Sequence, residues 1–328
     1  MSITRNQFIA TVQANLPLCR DHYRLDLAVE AFPPTESGQF VQLACRSVTT
    51  DDVVEQDREV DWQPGARVPV TDADLLAPQA LLRRPFSLAG RFEGGAGNRS
   101  VLQVIHRVVG VGTQWLANLR AGDRVGVLGP LGNRFTLPAG RETVAILVGG
   151  GVGIPPMLYL AAALAGRGRA IAFCGATTRE LLPLTVTNDA PAPAVDAVEP
   201  LYNILEFATH GLPAVISTDD GSYGFRGFVT QALERYLDRF GLHGDRAVIY
   251  TCGPEPMMKR VADIALARAI PCQIAVERAM ACGMGTCQSC CIRVRKPDPA
   301  RPPLEGRDWC YRLACTDGPV FSAAELLW

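Results

Sequence analysis

The sequence predicts a multidomain protein of mixed class, α/β plus all-β: an antiparallel barrel, then a doubly wound parallel sheet, then a small C-terminal segment. Three observations carry this prediction. Short strand-like runs fill the chain to about residue 138, strand and helix patterns alternate over 139–272, and cysteines crowd into 273–328. At roughly 100–200 residues per domain, a chain of 328 residues has room for two or three such units.

The first unit, 1–138, includes the runs Gly38–Cys45, Phe86–Arg91 and Ser100–Val109, separated by Gly, Pro and Asp turns. Short runs with such punctuation fit an antiparallel barrel or sandwich. An acidic, weakly periodic stretch, Ser47–Gln79, reads as an insertion or long surface loop. Thr113–Leu119 is expected to form a short helix with Thr113 as its N-cap.

The second unit, 139–272, has apolar runs at Val144–Val148, Ala170–Cys174, Ala214–Ser217 and Ala247–Thr251, with Gln273–Val276 following. Helical patterns fall between most of them, at Pro155–Leu164, Gly227–Phe240 and Pro254–Ala269. This alternation predicts a parallel sheet with ligands at the carboxyl ends of its strands. The third unit, 273–328, has little regular pattern and a Pro- and Arg-rich loop, Lys296–Arg307. So small a unit needs a staple, which a metal cluster supplies.

The chemistry is most specific there. Six of the 11 cysteines lie between Cys282 and Cys315. Cys282-x4-Cys287-x2-Cys290 has the plant-type ferredoxin spacing for three of the four ligands of a 2Fe-2S cluster. Gly283 and Gly285 let the backbone bend so that thiolates converge and main-chain N–H groups face the sulfides. Cys315 is the expected fourth ligand and Cys310 its rival. Cys291 should point away from the ligand beside it. The competing readings are a zinc site, for which paired CxxC units are usual, or unligated buried thiols.

Other motifs are less specific. Arg84-Pro85-Phe86-Ser87 opens a strand; its Arg suits a flavin pyrophosphate and its Ser the ring edge, against the reading of an exposed Arg before an edge strand. Gly112-Thr113 opens the short helix, where N–H groups can bind phosphate. Val144–Met157 runs from a buried strand through Gly149, Gly150, Gly151 and Gly153 into a helix, a geometry for a dinucleotide pyrophosphate. It lacks the GxGxxG fingerprint of Rossmann dehydrogenases. Cys252, before Gly253-Pro254, lies at a strand's carboxyl end, where it could touch nicotinamide or flavin; the alternative is a small core cysteine. Thr218-Asp219-Asp220-Gly221 offers acidic groups that disfavour a 2′-phosphate, so NAD is expected over NADP. His106, His210 and His243 fall in no metal-ligand spacing.

Composition excludes other classes. A net charge of −1 and the absence of a basic run argue against nucleic acid and anionic membrane surfaces. Thr143–Gly166 is uncharged, but its central glycines and Pro155-Pro156 fit strand, turn and helix better than a membrane span. The first residues contain no signal-peptide core and the cysteine number is odd, so a cytoplasmic protein without a disulfide framework is expected.

Taken in order, Arg84–Ser87, Gly112-Thr113, Gly129–Phe135, Gly149–Met157, Cys252–Pro254 and the Cys282–Cys290 loop resemble the ferredoxin–NADP reductase-like flavoproteins. The tail, with MACGMGTC and CTDGPVF, resembles the electron-transfer subunits of dihydroorotate dehydrogenase B. The resemblance covers most of the chain. It implies an FAD-binding barrel, an NAD-binding domain and a 2Fe-2S domain. Flavin contacts would fall on Arg84, Pro85, Phe86, Ser87, Ile105, His106, Arg107, Gly112 and Thr113, and cluster ligands on Cys282, Cys287, Cys290 and Cys315. It further implies an FMN-containing catalytic partner, in a heterotetramer of two copies of each subunit. Electrons would pass from dihydroorotate on that partner through cluster and FAD to NAD⁺ in pyrimidine (UMP) synthesis. This chain would not oxidise dihydroorotate alone. Ser47–Gln79 and the long gap from Cys290 to Cys315 depart from the family pattern. The alternatives are a reductase subunit of a bifurcating ferredoxin–NADP oxidoreductase or of a sulfhydrogenase, and a non-enzymatic zinc protein that keeps the fold.

Overall fold

The computed structural model describes residues 6–47, 80, 82–94, 98–187, 193–295 and 308–328. The expected insertion, from residue 48 on, and the whole Lys296–Arg307 loop lie outside the described residues.

Six strands build the barrel: β1 (Gln7–Cys19), β2 (His22–Glu30), β3 (Phe40–Leu43), β4 (Arg84–Glu93), β5 (Arg99–Arg107) and β6 (Arg124–Leu131). They close in the order β1-β2-β5-β4-β3-β6, all antiparallel. Alternate residues point inward, as a two-residue period requires. Leu25, Leu27, Val41, Leu43, Val125 and Val127 fill the interior. Helix α1 (Val111–Ala117) plugs one end with the fully buried Leu116. Thr113 is not its N-cap: it stands at the third helical position, and its hydroxyl accepts hydrogen bonds from the N–H groups of Val109 and Gly110. The helix starts two residues earlier than expected because Thr113 reaches back to cap it from inside.

The parallel sheet comprises β7 (Val144–Gly150), β8 (Ala170–Ala176), β9 (Ala214–Thr218), β10 (Phe225–Arg226), β11 (Ala247–Cys252) and β12 (Cys272–Ala275), in the order β10-β9-β8-β7-β11-β12. Its helices are α2 (Ile154–Leu164), the short α3 (Leu205–Ala208), α4 (Val229–Phe240) and α5 (Glu255–Ala267). Val144, Ile146 and Val148 of β7 face α4 and α5, while Ala145 and Leu147 face α2. Cover on both faces explains why these strands read as unbroken apolar runs. The chain leaves β7 for β8 and later returns to its other side as β11, which makes the β7 end the topological switch point of the sheet.

The tail contains more regular structure than its sequence suggested. β13 (Cys291–Arg295), β14 (Trp309–Leu313) and β16 (Leu326–Leu327) form a three-stranded sheet, while β15 (Val320–Ser322) adds antiparallel to β12. These strands are two to five residues long, too short to set a visible period. The expected boundary at 272/273 runs through β12, a strand of the parallel sheet. The barrel loop after β6 grips the tail: the Asn133 amide donates to the carbonyls of Asp317 and Val320 (3.0 and 2.8 Å) and accepts the Val320 N–H (2.8 Å).

Candidate functional site

One cavity of about 1270 Å³ touches all three regions. Arg84, Pro85, Phe86, Ser87, Ile105, His106, Arg107, Gly112 and Thr113 line its barrel side. The carboxyl ends of the parallel strands line the opposite side, through Gly150 on β7, Gly175 on β8, Cys252 on β11 and Ala275 on β12. Met280 and Pro319 line it from the tail. Every residue expected to contact FAD is therefore on one wall, and the strand ends expected to take a dinucleotide face it.

The glycines of the β7–α2 turn have separate reasons. Gly151 has φ +52 and open space around it, so its backbone angle is what demands glycine. Gly153 has an ordinary negative φ, but a Cβ there would lie 2.2 Å from the Cys252 carbonyl oxygen. Gly150 lines the cavity, and a Cβ on it would lie 2.5 Å from Met257 Sδ. Gly149 does not line it: a Cβ on it would meet Ile154 Cα at 3.0 Å, so this glycine serves strand–helix packing.

His106 is buried. Its ring stacks on Tyr23 (centroids 5.8 Å apart) and meets the edge of Phe86. Neither ring nitrogen has a hydrogen-bond partner. Burial, reinforced by His22, pushes its pKa down to about 4. The unfolded chain, with an ordinary histidine value near 6.5, binds more protons between those limits. Neutral His106 thus contributes stability that is complete above pH 6.5 and lost as pH falls towards 4, by about 3 kcal/mol. In flavin-free protein, His106→Gln should lose less stability than the parent between pH 7 and 4.5 in urea unfolding. Equal losses would contradict this.

Cys252 is buried, and its thiol is pushed up to about 12 by burial and by Glu277. It faces the cavity as a neutral, compact SH. Asp219, just after β9, also lines the cavity; its carboxyl is raised by burial and by Asp220. Asp220 does not line it and instead accepts from the Ser222 N–H and hydroxyl.

The cysteine loop leaves the cavity at Met280. Gly283 (φ +72) and Gly285 (φ +87) fold it back on itself, and Gln288 adopts φ +57. The Cys287 N–H points at Cys282 Sγ (3.4 Å). Ser289 lies 3.2 Å from Cys287 Sγ; its hydroxyl and N–H, helped by Cys282, hold the Cys287 thiol down to about 6. Cys290 and Cys315 are buried side by side, tied by the Ala314 N–H to the Cys290 carbonyl (3.1 Å). Burial and the neighbouring Cys290 push Cys315 up to about 11, opposed by the Gly285 N–H. Cys310 lies elsewhere, opposite Val294 in the β13–β14 ladder, roughly 10 Å along the strand from Cys291. Cys291 turns to the Gln288 carbonyl instead (2.9 Å).

Among the described residues, no group of three or more His, Cys, Asp or Glu converges on a single metal ion. A two-iron cluster spreads four thiolates over two metals, whereas a structural zinc gathers four ligands on one. The loop turns the Cys287 N–H toward Cys282 Sγ and holds the Cys287 thiol low, as a cluster of two irons asks of its ligands.

Residues with no signal in the sequence also line the cavity: His22, Phe40, Phe228 and Met257. Their positions depend on strand pairing and loop packing, which no local motif encodes.

Comparison with known proteins agrees with this geometry. Residues 277–327 match the iron-sulfur cluster binding domain of dihydroorotate dehydrogenase B, and residues 147–263 match the oxidoreductase NAD-binding domain. A dihydroorotate dehydrogenase B (NAD(+)) electron transfer subunit of Geobacillus thermodenitrificans is 37% identical over 268 residues, covering 81% of this chain and 87% of its own. The one from Fusobacterium nucleatum is 30% identical over 320 residues, 96% of each chain. The structure of an NADH-dependent reduced ferredoxin-NADP oxidoreductase shares the fold, with TM-score 0.66 and 22% identity, covering 97% of this chain and 90% of that one. Identity of this extent over most of the length places the chain in the family of electron transfer subunits of dihydroorotate dehydrogenase B (NAD(+)).

Proposed function

We propose that this chain is the electron-transfer subunit of an NAD-dependent dihydroorotate dehydrogenase. It would accept electrons that an FMN-containing catalytic partner takes from dihydroorotate, and deliver them to NAD⁺ in pyrimidine synthesis, in the cytoplasm and in an assembly of two copies of each subunit. The observation that carries this reading is a cavity shared by the three regions: it joins the Arg84–Ser87 strand, the β7 and β11 ends and the foot of the cysteine loop.

Each region has its part. Arg84 would bind a flavin pyrophosphate with its planar fork, and Ser87 would bond the ring edge. Neutral His106 offers one donor and one acceptor, both without protein partners. Ile105, Arg107, Gly112 and Thr113 complete that wall. The Gly150–Gly153 turn would cradle the NAD pyrophosphate at the start of α2. Asp219, at the end of β9, favours a ribose 2′-hydroxyl over a 2′-phosphate. Cys252 would contact nicotinamide or flavin as a neutral thiol. Cys282, Cys287, Cys290 and Cys315 would hold the 2Fe-2S cluster. A bound flavin supplies the exchange between one-electron transfer at a cluster and hydride transfer at nicotinamide. No residue of this chain is assigned as a base for dihydroorotate.

The test is direct. Protein prepared without oxygen should show flavin and 2Fe-2S absorbance, reduce dyes with NADH, and co-purify with a dihydroorotate-oxidising subunit. Dihydroorotate turnover by the isolated chain, or co-purification with a different oxidoreductase only, would overturn the reading.

A further inference from the structure

Gln42 stands on β3 between Val41 and Leu43, which both point into the barrel. Its own side chain therefore leaves the barrel on the opposite face. It is fully buried at 0% exposure, yet neither Oε1 nor Nε2 has a hydrogen-bond partner. A buried carboxamide is rarely left so, because its desolvation is then uncompensated.

Its surroundings indicate what the amide is for. Gln42 pairs with Pro85 across the β3–β4 ladder, and Phe40 pairs with Ser87. Directly opposite residues share a face, so Gln42 adjoins the same Pro85 and Ser87 that line the cavity. On its other side lies the cysteine loop. A Cβ on Gly283 would sit 2.7 Å from Gln42 Cδ and Oε1 and 3.0 Å from Nε2. Gly283 directly follows Cys282. The carboxamide is thus held between the strand proposed to bind flavin and the loop proposed to bind the cluster.

We propose that Gln42 is a positioning residue of the electron path, whose Nε2–H donates to a sulfur of the cluster held by this loop. The proposal rests on the cluster reading given above. Reduction adds negative charge to the cluster, so a donor stabilises the reduced form more than the oxidised one and raises the potential. It also gives Gly283 a second reason to be glycine beyond its positive φ: a side chain would displace the amide.

The experiment uses the full chain with its cluster and flavin. Gln42→Leu keeps the volume and removes the donor. The cluster's affinity for an electron should fall about tenfold, which is about 59 mV for a one-electron couple, while the flavin potential stays in place. Pulsed electron paramagnetic resonance in deuterated water should lose one exchangeable proton coupling to the reduced cluster. A second measurement leaves Gln42 in place: in Gln288→Glu protein, which removes the other glutamine amide of the cysteine loop, nitrogen-15 placed in glutamine side chains should give a hyperfine coupling to the reduced cluster. If Gln42→Leu cannot hold its cluster, that coupling decides. An intact cluster with unchanged potential and no nitrogen coupling overturns the proposal, as does a shift confined to the flavin. Parent protein without iron and sulfide overturns the cluster reading itself, and this inference with it.

Discussion

Cys315→Ser should abolish the iron–sulfur chromophore, whereas Cys310→Ser should leave it in place. The two cysteines are five residues apart in sequence but differ in surroundings. Cys315 lies beside Cys290, takes the Gly285 N–H, and feels Cys282. Cys310 sits in the β13–β14 ladder opposite Val294, with partial burial against the tail's core. Losing a ligand removes one of four bonds to the cluster, a larger effect than the 10- to 100-fold known for outer partners of metal ligands. Electron delivery beyond the flavin should therefore fall by more than about a hundredfold. NADH-dependent dye reduction through the flavin should persist in Cys315→Ser, because its nucleotide and flavin walls are unaltered. Iron and sulfide analysis with visible absorbance separates the outcomes. A Cys315→Ser protein with full iron, or a Cys310→Ser protein without it, would refute this ligand set.

The legibility of this site in the sequence divides by the range of the interaction. Cys282, Cys287 and Cys290 share one loop, so their spacing and the two glycines that fold it, Gly283 and Gly285, are legible in the sequence alone. The parallel strands read clearly because helices on both faces make their apolar runs continuous. The nine residues proposed to contact FAD were legible as a motif order, and the fold places all nine on one wall of the cavity. What eluded the sequence depends on pairing across distance. β1 and β2 open the barrel, but their pairing is broken by register shifts, so no clean period marked them. The tail's short strands borrow their order from β12 and from Asn133. Gln42 looks like any polar strand residue; only the packing of Gly283 on it reveals that it is buried. Gly149 belongs to the same glycine run as Gly151, and nothing local separates a packing glycine from a cavity glycine.

Gly153→Ala should cripple the nucleotide side while sparing the cluster. The position has an unremarkable negative φ, so an alanine there suffers no dihedral penalty. Space is the obstacle. The new Cβ would fall 2.2 Å from the Cys252 carbonyl oxygen, 2.3 Å from its carbon and 2.4 Å from the Gly253 nitrogen. All three are backbone atoms, so no rotamer change can relieve the contact. The turn after β7 must instead move away from the turn after β11, although Gly149 and Cys252 are paired in adjacent strands. Overpacking of this kind destabilises by about 3 kcal/mol or more when the neighbours are rigid. Both displaced turns line the cavity, so NADH affinity should fall by at least about tenfold, the equivalent of 1.4 kcal/mol. Gly151→Ala is the informative companion. It has nothing within 4 Å but a φ of +52, so only the left-handed backbone penalty of about 1–2 kcal/mol applies. Thermal unfolding and NADH titration should therefore rank the two variants with Gly153→Ala clearly worse, both retaining iron. If Gly153→Ala unfolds at the parental temperature and binds NADH as the parent does, the close approach of these two turns is not what shapes the nucleotide site.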